Sequence, residues 1–345
     1  MADGGEGTVQ SLVDATGGKI IKKQVVGPMG KKVIARYGLL GNISTAVIEM
    51  AEASGLPLVP RNKRNPLKTT TYGTGELIID ALDRGATTII IGIGGSATVD
   101  GGSGMAQALG VRFLSKNGNV ITEYGNGGML TRIAGIDMQA IDPRIRKTEF
   151  IVASDVTNPL CGPAGAAYVF GPQKGATPAM VKTLDANLKQ FGNVIKNELK
   201  KDVRYLKGAG AAGGLGAGLV AFTSAKMKRG IDLVIEITGL EKYIRGADLV
   251  ITGEGRVDFQ TAFGKTPAGV AKAARKYKVP CVAIGGSLAD DAHGVFAHGI
   301  TGLESAAARD MDLAEAIENS RMHLENAAER VMRMLLIGKS LNRKR

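Results

Sequence analysis

"TTIIIGIGGSATVDGGSG", residues 87–104, is the stretch on which the reading of this chain turns. An apolar, β-branched run breaks off into glycines, small hydroxyls and one aspartate, then resumes as MAQALG. β-Branched residues favour a buried strand, and the abrupt change marks a strand end followed by a helix. Glycines there let backbone N–H groups approach an anion, and a helix N-terminus adds about half a positive charge, so the order strand, glycines, helix suits a phosphate. The bland alternative is a turn with Asp100 as N-cap, which needs fewer than the six glycines found from Gly92 to Gly104. Gly92, Gly94 and Ala97 also match the dinucleotide pattern G-x-G-x-x-A, but the acid that should close the next strand is missing from GVRFLSKNGN. GKT (264–266) and GKS (338–340) lack the leading glycine of a P-loop.

Outward from this stretch, helices and strands alternate. TGELIIDALDRG predicts a helix with Thr74 as N-cap and Gly85 as its stop, and TEFIVAS, ADLVIT, PCVAI and HGITGL predict further short strands. Apolar strands linked by helices imply a doubly wound parallel sheet, whose ligands sit beyond the carboxyl ends of the strands. Four loops therefore compose the expected crevice: GGSATVDGG (94–102), SDVTNPL (154–160), GEGRVD (253–258) and GGSLADD (285–291).

Asp155 can take a proton from a substrate hydroxyl or anchor a metal, against a plain Asx turn leading to Pro159. Glu254 and Asp258 can reach Mg²⁺ while Arg256 holds an anion, against a surface ion pair. Lys174 in FGPQKGA and Lys265 in FGKTP can neutralise phosphate charge. His293, His298 and His323 form no catalytic pattern.

Before residue 74 the pattern is a helix, which Asp3 would cap and Gly17 and Gly18 would end, followed by three strands in an antiparallel meander. The glycine-rich segment 208–222 reads as a close-packed helix or hinge, and MDLAEAIENSRMHLENAAERVMRMLLIG as one long helix capped by Asp312, its Met and Leu stripe facing the core.

A chain of 345 residues that is 44% hydrophobic can build two domains. The net charge of +12 favours an anionic partner, yet aromatics at 4% and the absence of Trp leave few platforms for stacking nucleic-acid bases, so a small anionic substrate is expected instead of nucleic acid. Cys161 and Cys281 lack disulfide or zinc spacing and fit a reducing cytoplasm; no apolar run suggests a membrane partner. Phosphate-binding glycines, crevice carboxylates and no covalent nucleophile favour phosphoryl transfer.

The blocks ADGGEGT, AVIEMAEASGL, TTYGTGELIIDAL, IIIGIGGSATVDGGSGMAQALG, SDVTNPLCGPAGAAYVFGPQKGA, GAGAAGGLGAGL, ADLVITGEGRVDFQTAFGKTP and AIGGSLADD together resemble, in order, the signature blocks of the bacterial glycerate kinase family. The resemblance implies transfer of the ATP γ-phosphoryl group to D-glycerate with Mg²⁺, giving 2-phosphoglycerate and ADP. It also implies two α/β domains: a flavodoxin-like doubly wound sheet expected over 69–205 and 245–345, and a smaller domain resembling restriction endonucleases over 1–68 and 206–244. On this resemblance Asp155 is the catalytic candidate. Gly94, Gly95, Ser96, Thr98, Asp100, Asn158, Lys174, Gly285, Gly286, Ser287, Asp3 and Glu6 are expected to meet phosphate or substrate, and Glu254 and Asp258 the metal. Family members usually carry, before ADGGEGT, a further segment comprising a strand ending in an Asp-Ser-Phe-Lys-like motif and a helix. Its absence here leaves, as the alternative, an inactive remnant that only binds glycerate or nucleotide.

Overall fold

The structure, a computed structural model, describes residues 7–262 and 266–342. It divides into two compact units, one ending at Leu233 and the other beginning at Val234.

The first unit opens with α1 (Thr8–Thr16), β1 (Lys19–Val26), β2 (Lys32–Leu39), β3 (Thr45–Glu49) and the short α2 (Ala51–Ser54). It continues through α3 (Tyr72–Asp83), β4 (Thr88–Gly92), α4 (Ser103–Ala108), the hairpin strands β5 (Arg112–Leu114) and β6 (Gly135–Asp137), and β7 (Glu149–Ala153). Helices α5 (Ala166–Phe170), α6 (Pro178–Leu199) and α7 (Ala211–Thr223) precede β8 (Lys226–Lys228). Six strands form one sheet in the order β1-β2-β3-β4-β7-β8, antiparallel through β3 and parallel from β3 onward.

The antiparallel meander is as expected, but it belongs to the same sheet as β4. Thr45 to Glu49 pair in register with Thr88 to Gly92, so backbone hydrogen bonding is continuous across the boundary expected at residue 68. The crossover between them is α3. It starts at Tyr72, with Thr71 at the N-cap position, so Thr74 lies inside the helix and shares a 2.9 Å hydrogen bond with Ser54.

Apolar strand residues such as Ile48, Ile89, Ile91 and Val152 are fully buried, and Phe113 packs edge-on against Phe191 and Phe222, with ring centroids 5.6 and 5.9 Å away. Such edge-to-face contacts suit the aromatic quadrupole.

The division between units falls inside α8 (Gly230–Thr238). Beyond it lie α9 (Leu240–Ile244), β9 (Val250–Val257), α10 (Thr266–Lys276), β10 (Cys281–Leu288), β11 (Gly302–Ser305), α11 (Leu313–Glu318) and α12 (Ser320–Asn342). Here three parallel strands are ordered β11-β10-β9, over a core that includes Val257, Val270, Ala271, Cys281 and Val295. The single parallel sheet expected to unite β4 and β7 with β9 to β11 is thus two sheets. A short apolar run carries no mark of which neighbour it will pair with, so composition could not separate them.

The expected C-terminal helix is two. Asp312 does cap the first, accepting from the Glu315 amide at 2.8 Å, but α11 ends at Glu318. In α12 only a narrow seam including Ala327 and Val331 is buried, while Met332, Met334, Leu336 and Ile337 are exposed, contrary to the expected core-facing stripe. Among the described residues no helix is long and apolar enough to cross a membrane.

Candidate active site

β4 and β7 are parallel neighbours, so the loops that leave them emerge on the same edge of the sheet. There Gly94, Gly95, Ser96 and Asp155 line one cavity of about 450 Å³. Lys174, from the turn after α5, and Ala211 and Ala212, from the glycine-rich segment, complete it, with Leu56, Ile93 and Phe170 as apolar wall.

The glycine loop is held from several sides. Leu56 donates its amide to Gly95 O at 2.8 Å and Ala97 donates to Ser54 O at 2.9 Å, forming an isolated bridge between the loop and the segment after α2. Gly95 turns through a φ of 71°, a left-handed conformation that glycine adopts freely. At the loop's far end the Asp100 carboxylate, fully buried, accepts from the Thr71 amide and hydroxyl at 2.8 and 2.7 Å and from the Gly102 amide at 3.1 Å. Burial pushes its pKa up, while those hydrogen bonds oppose the rise. Asp100 therefore braces the loop from behind and does not line the cavity.

Lys174 is the distinctive group. It is only 2% exposed, and its ammonium donates to Ser96 Oγ at 2.6 Å and to Thr98 O at 2.8 Å. Desolvation pulls its pKa down to about 7, and the nearby Asp100 charge only partly restores it. A buried amine with a lowered pKa, lining a cavity with a carboxylate on its rim, makes this the candidate site of the first unit. The sequence marked Lys174 as a loop lysine expected to meet phosphate or substrate; its burial was not legible there.

The glycine-rich segment earns its composition by close approach. α7 opens with a kink at Ala212, Gly213 and Gly214, all at positive φ. A Cβ on Gly213 would lie 1.9 Å from Thr98 O, the same carbonyl that accepts from Lys174. The segment packs directly on the loop it supports, and its alanines, which the sequence did not single out, form cavity wall.

Other expected site residues take different positions. Thr98 is fully buried, its Oγ1 without a hydrogen-bond partner among the described residues. Asn158 donates its side-chain amide to Ala164 O at 2.8 Å and holds its own loop, away from the cavity lining. Asp155 is exposed on the cavity rim. Asp3, Glu6 and Lys265 lie outside the described residues.

Glu254, Gly285, Gly286 and Ser287 belong to the second unit and lie within strands β9 and β10, not in loops as the sequence suggested; Gly285 pairs with Glu254 and Ser287 with Arg256. Asp258 follows β9 directly. Glu254 accepts from the Thr261 hydroxyl, and Asp258 Oδ1 accepts from the Thr261 amide at 3.1 Å, so the two carboxylates converge on one threonine. Among the described residues no cluster of three or more metal-ligating side chains occurs.

The glycerate kinase family model matches residues 1–336 of this chain. A glycerate kinase of Halalkalibacterium halodurans is 56% identical over 331 residues, covering 96% of this chain and 87% of the relative. The Escherichia coli K12 glycerate 2-kinase is 50% identical over 338 residues, covering 98% and 88% respectively. A crystal structure described as a glycerate kinase 2, from Salmonella typhimurium LT2, superposes with a TM-score of 0.89 at 48% identity, covering 99% of this chain and 88% of that one.

Proposed function

The chain belongs to the glycerate kinase family, and from that premise we propose that it transfers the γ-phosphoryl group of ATP to the 2-hydroxyl of D-glycerate, giving 2-phosphoglycerate and ADP. The observation that carries this reading is Lys174, buried in a small cavity and hydrogen-bonded to the glycine loop that faces Asp155.

The cavity is a fit for a small hydroxy acid. About 450 Å³ lies in the range of small-molecule sites. An anion entering beside Lys174 favours its protonated form, so the ammonium becomes a charge-assisted donor to the substrate carboxylate. The backbone of Gly94 and Gly95, in the loop Lys174 binds, allows close approach of a ligand. Asp155, on the cavity rim, is the proton acceptor for the attacking hydroxyl, and Leu56, Ile93 and Phe170 form the apolar wall beside it.

Glu254 and Asp258 are the residues we assign to Mg²⁺. They are hard oxygen donors converging on Thr261, and Mg²⁺ is commonly held by one or two carboxylates together with substrate phosphates and water. Gly286 and Ser287, beside Glu254 in the second unit, are assigned to the nucleotide phosphates. Bound there, Mg·ATP supplies the phosphoryl group and neutralises its charge; catalysis then rests on positioning. Buried, unpaired Cys161 and Cys281 suit the reducing cytoplasm in which such a reaction would run.

A coupled assay of ADP release with D-glycerate and Mg·ATP tests the reading. Turnover that depends on D-glycerate is expected; its absence, with ligand binding retained, would support the remnant alternative instead.

A further inference from the structure

We infer that Gln173 reads the 3-hydroxyl of D-glycerate in the cavity of the first unit, and so leaves the 2-hydroxyl as the group that is phosphorylated. This rests on the kinase reading above and gives a role to a residue the sequence did not single out. D-Glycerate offers a carboxylate and two hydroxyls. The carboxylate falls to Lys174 and the attacking hydroxyl to Asp155, so the second hydroxyl needs a donor and an acceptor of its own.

Most polar side chains of the lining are already engaged. Ser96 Oγ accepts from Lys174 at 2.6 Å, and Lys174 spends its second donor on Thr98 O at 2.8 Å. Ser154 Oγ accepts from the Val156 amide at 3.3 Å, within the turn that carries Asp155. Gln173 also lines the cavity; it is exposed, and its side-chain amide makes no hydrogen bond among the described residues. An ionised carboxylate only accepts and an ammonium only donates, whereas a primary amide does both, as an alcohol requires.

The amide stands on a braced element. Gln173 is the middle residue of the turn Pro172–Lys174, which is closed by the Lys174 amide on Gly171 O and the Gly175 amide on Pro172 O, each at 3.0 Å. Gly175 follows at φ 90°, where an added Cβ would lie 2.5 Å from Arg64 O, and Arg64 Nη1 donates to Gln173 O at 3.4 Å. One turn therefore supplies both the buried cation and the amide beside it. Asp155 comes from a different element, the loop after β7, so a 3-hydroxyl held by Gln173 is not the one offered to the base. The 2-hydroxyl oxygen forms the bond to the γ-phosphorus while the bond to the β–γ bridging oxygen breaks; its proton passes to Asp155, and ADP leaves.

Steady-state kinetics with D-glycerate, inhibition by its 3-deoxy analogue D-lactate, and phosphorus NMR of the product test the assignment on the full chain. In the wild-type protein D-lactate should bind about tenfold more weakly than D-glycerate, a readout that needs no variant. Gln173→Met keeps the side-chain length and removes both hydrogen-bonding groups. It should raise KM for D-glycerate about tenfold, leave the inhibition constant of D-lactate unchanged, and let the phosphorus triplet of 3-phosphoglycerate appear beside the doublet of 2-phosphoglycerate. Gln173→Asn, which retains the amide, should restore part of the selectivity. A Gln173→Met protein with wild-type KM and 2-phosphoglycerate as sole product, or one that weakens D-glycerate and D-lactate alike, overturns the assignment while leaving the kinase reading intact. Loss of selectivity in Ser154→Ala instead would move the 3-hydroxyl to Ser154 and overturn it equally. A wild-type chain that does not phosphorylate D-glycerate removes the kinase reading, and this assignment with it.

Discussion

The Lys174 ammonium donates to Ser96 Oγ at 2.6 Å from a position only 2% exposed, so one lysine joins the turn after α5 to the glycine loop after β4. Its position sets function against stability. Burial holds its pKa near 7, whereas in the unfolded chain it returns to about 10.4. Between those values the unfolded state binds the proton and the folded state does not, so Lys174 makes stability rise with pH from about 7 to about 10.4.

Lys174→Met should flatten that rise and raise Tm at pH 7, because each pKa unit of depression costs roughly 1.4 kcal/mol. Activity should fall sharply at the same time. Calorimetry at pH 7 and pH 9.5 gives the check, and identical slopes for the two proteins would remove the burial argument.

Asp155→Asn should lower kcat by about 10²- to 10⁴-fold, the usual worth of a positioned base. Asp155 is exposed, so Tm should barely move. Steady-state kinetics beside a thermal melt separate the two effects, and near-normal kcat would exclude Asp155 from the chemistry.

Gly213→Ala should be severe although it adds one methyl. Gly213 sits at φ 68°, and its added Cβ would meet Thr98 O at 1.9 Å, forcing either the kink of α7 or the glycine loop to move. A loss of more than about 2 kcal/mol is expected, together with raised KM, since Thr98 O accepts from Lys174. Gly246→Ala, where a Cβ meets open space, is the control. Equal denaturation midpoints for the two variants would contradict the packing described.

Glu254→Gln and Asp258→Asn should each raise the Mg²⁺ concentration needed for half-maximal turnover by about tenfold, and chelation by EDTA should abolish turnover. A Mg²⁺ titration of activity decides this. Unchanged Mg²⁺ dependence in both variants would move the metal elsewhere.

Asp80→Asn should destabilise the first unit by about 2–4 kcal/mol without touching the cavity. Asp80 accepts from Tyr37 at 2.8 Å, Lys23 at 2.8 Å and Arg84 at 3.0 Å. Burial pushes its pKa up, but those donors outweigh it and hold the carboxyl below its ordinary range. Its contribution is complete above that range and lost as pH falls through the depressed value. Acid unfolding of the variant should therefore begin from lower stability and show a shallower slope.

Local chemistry made the elements legible. β-Branched runs announced β4, β7 and β10, Asp312 announced the start of α11, and the glycines after β4 announced a loop built for close approach. The short β8 and the β5–β6 hairpin, at three residues each, carried too little periodicity to be read.

Family membership was also written in the order of the blocks, because that order is a property of the sequence itself. Pairing was not. That β4 lies between β3 and β7 while β9 to β11 form their own sheet depends on contacts between residues far apart in the chain, and interchangeable apolar strands do not encode them. Tertiary structure alone assigned the Asp155 loop to one sheet and Glu254 and Ser287 to another, turned Asp100 into a brace, buried Lys174, and left His323 Nε2 without a hydrogen-bond partner among the described residues. A sequence lists donors, acceptors and charges; burial and distance, which set the strength of each, exist only once the chain has folded.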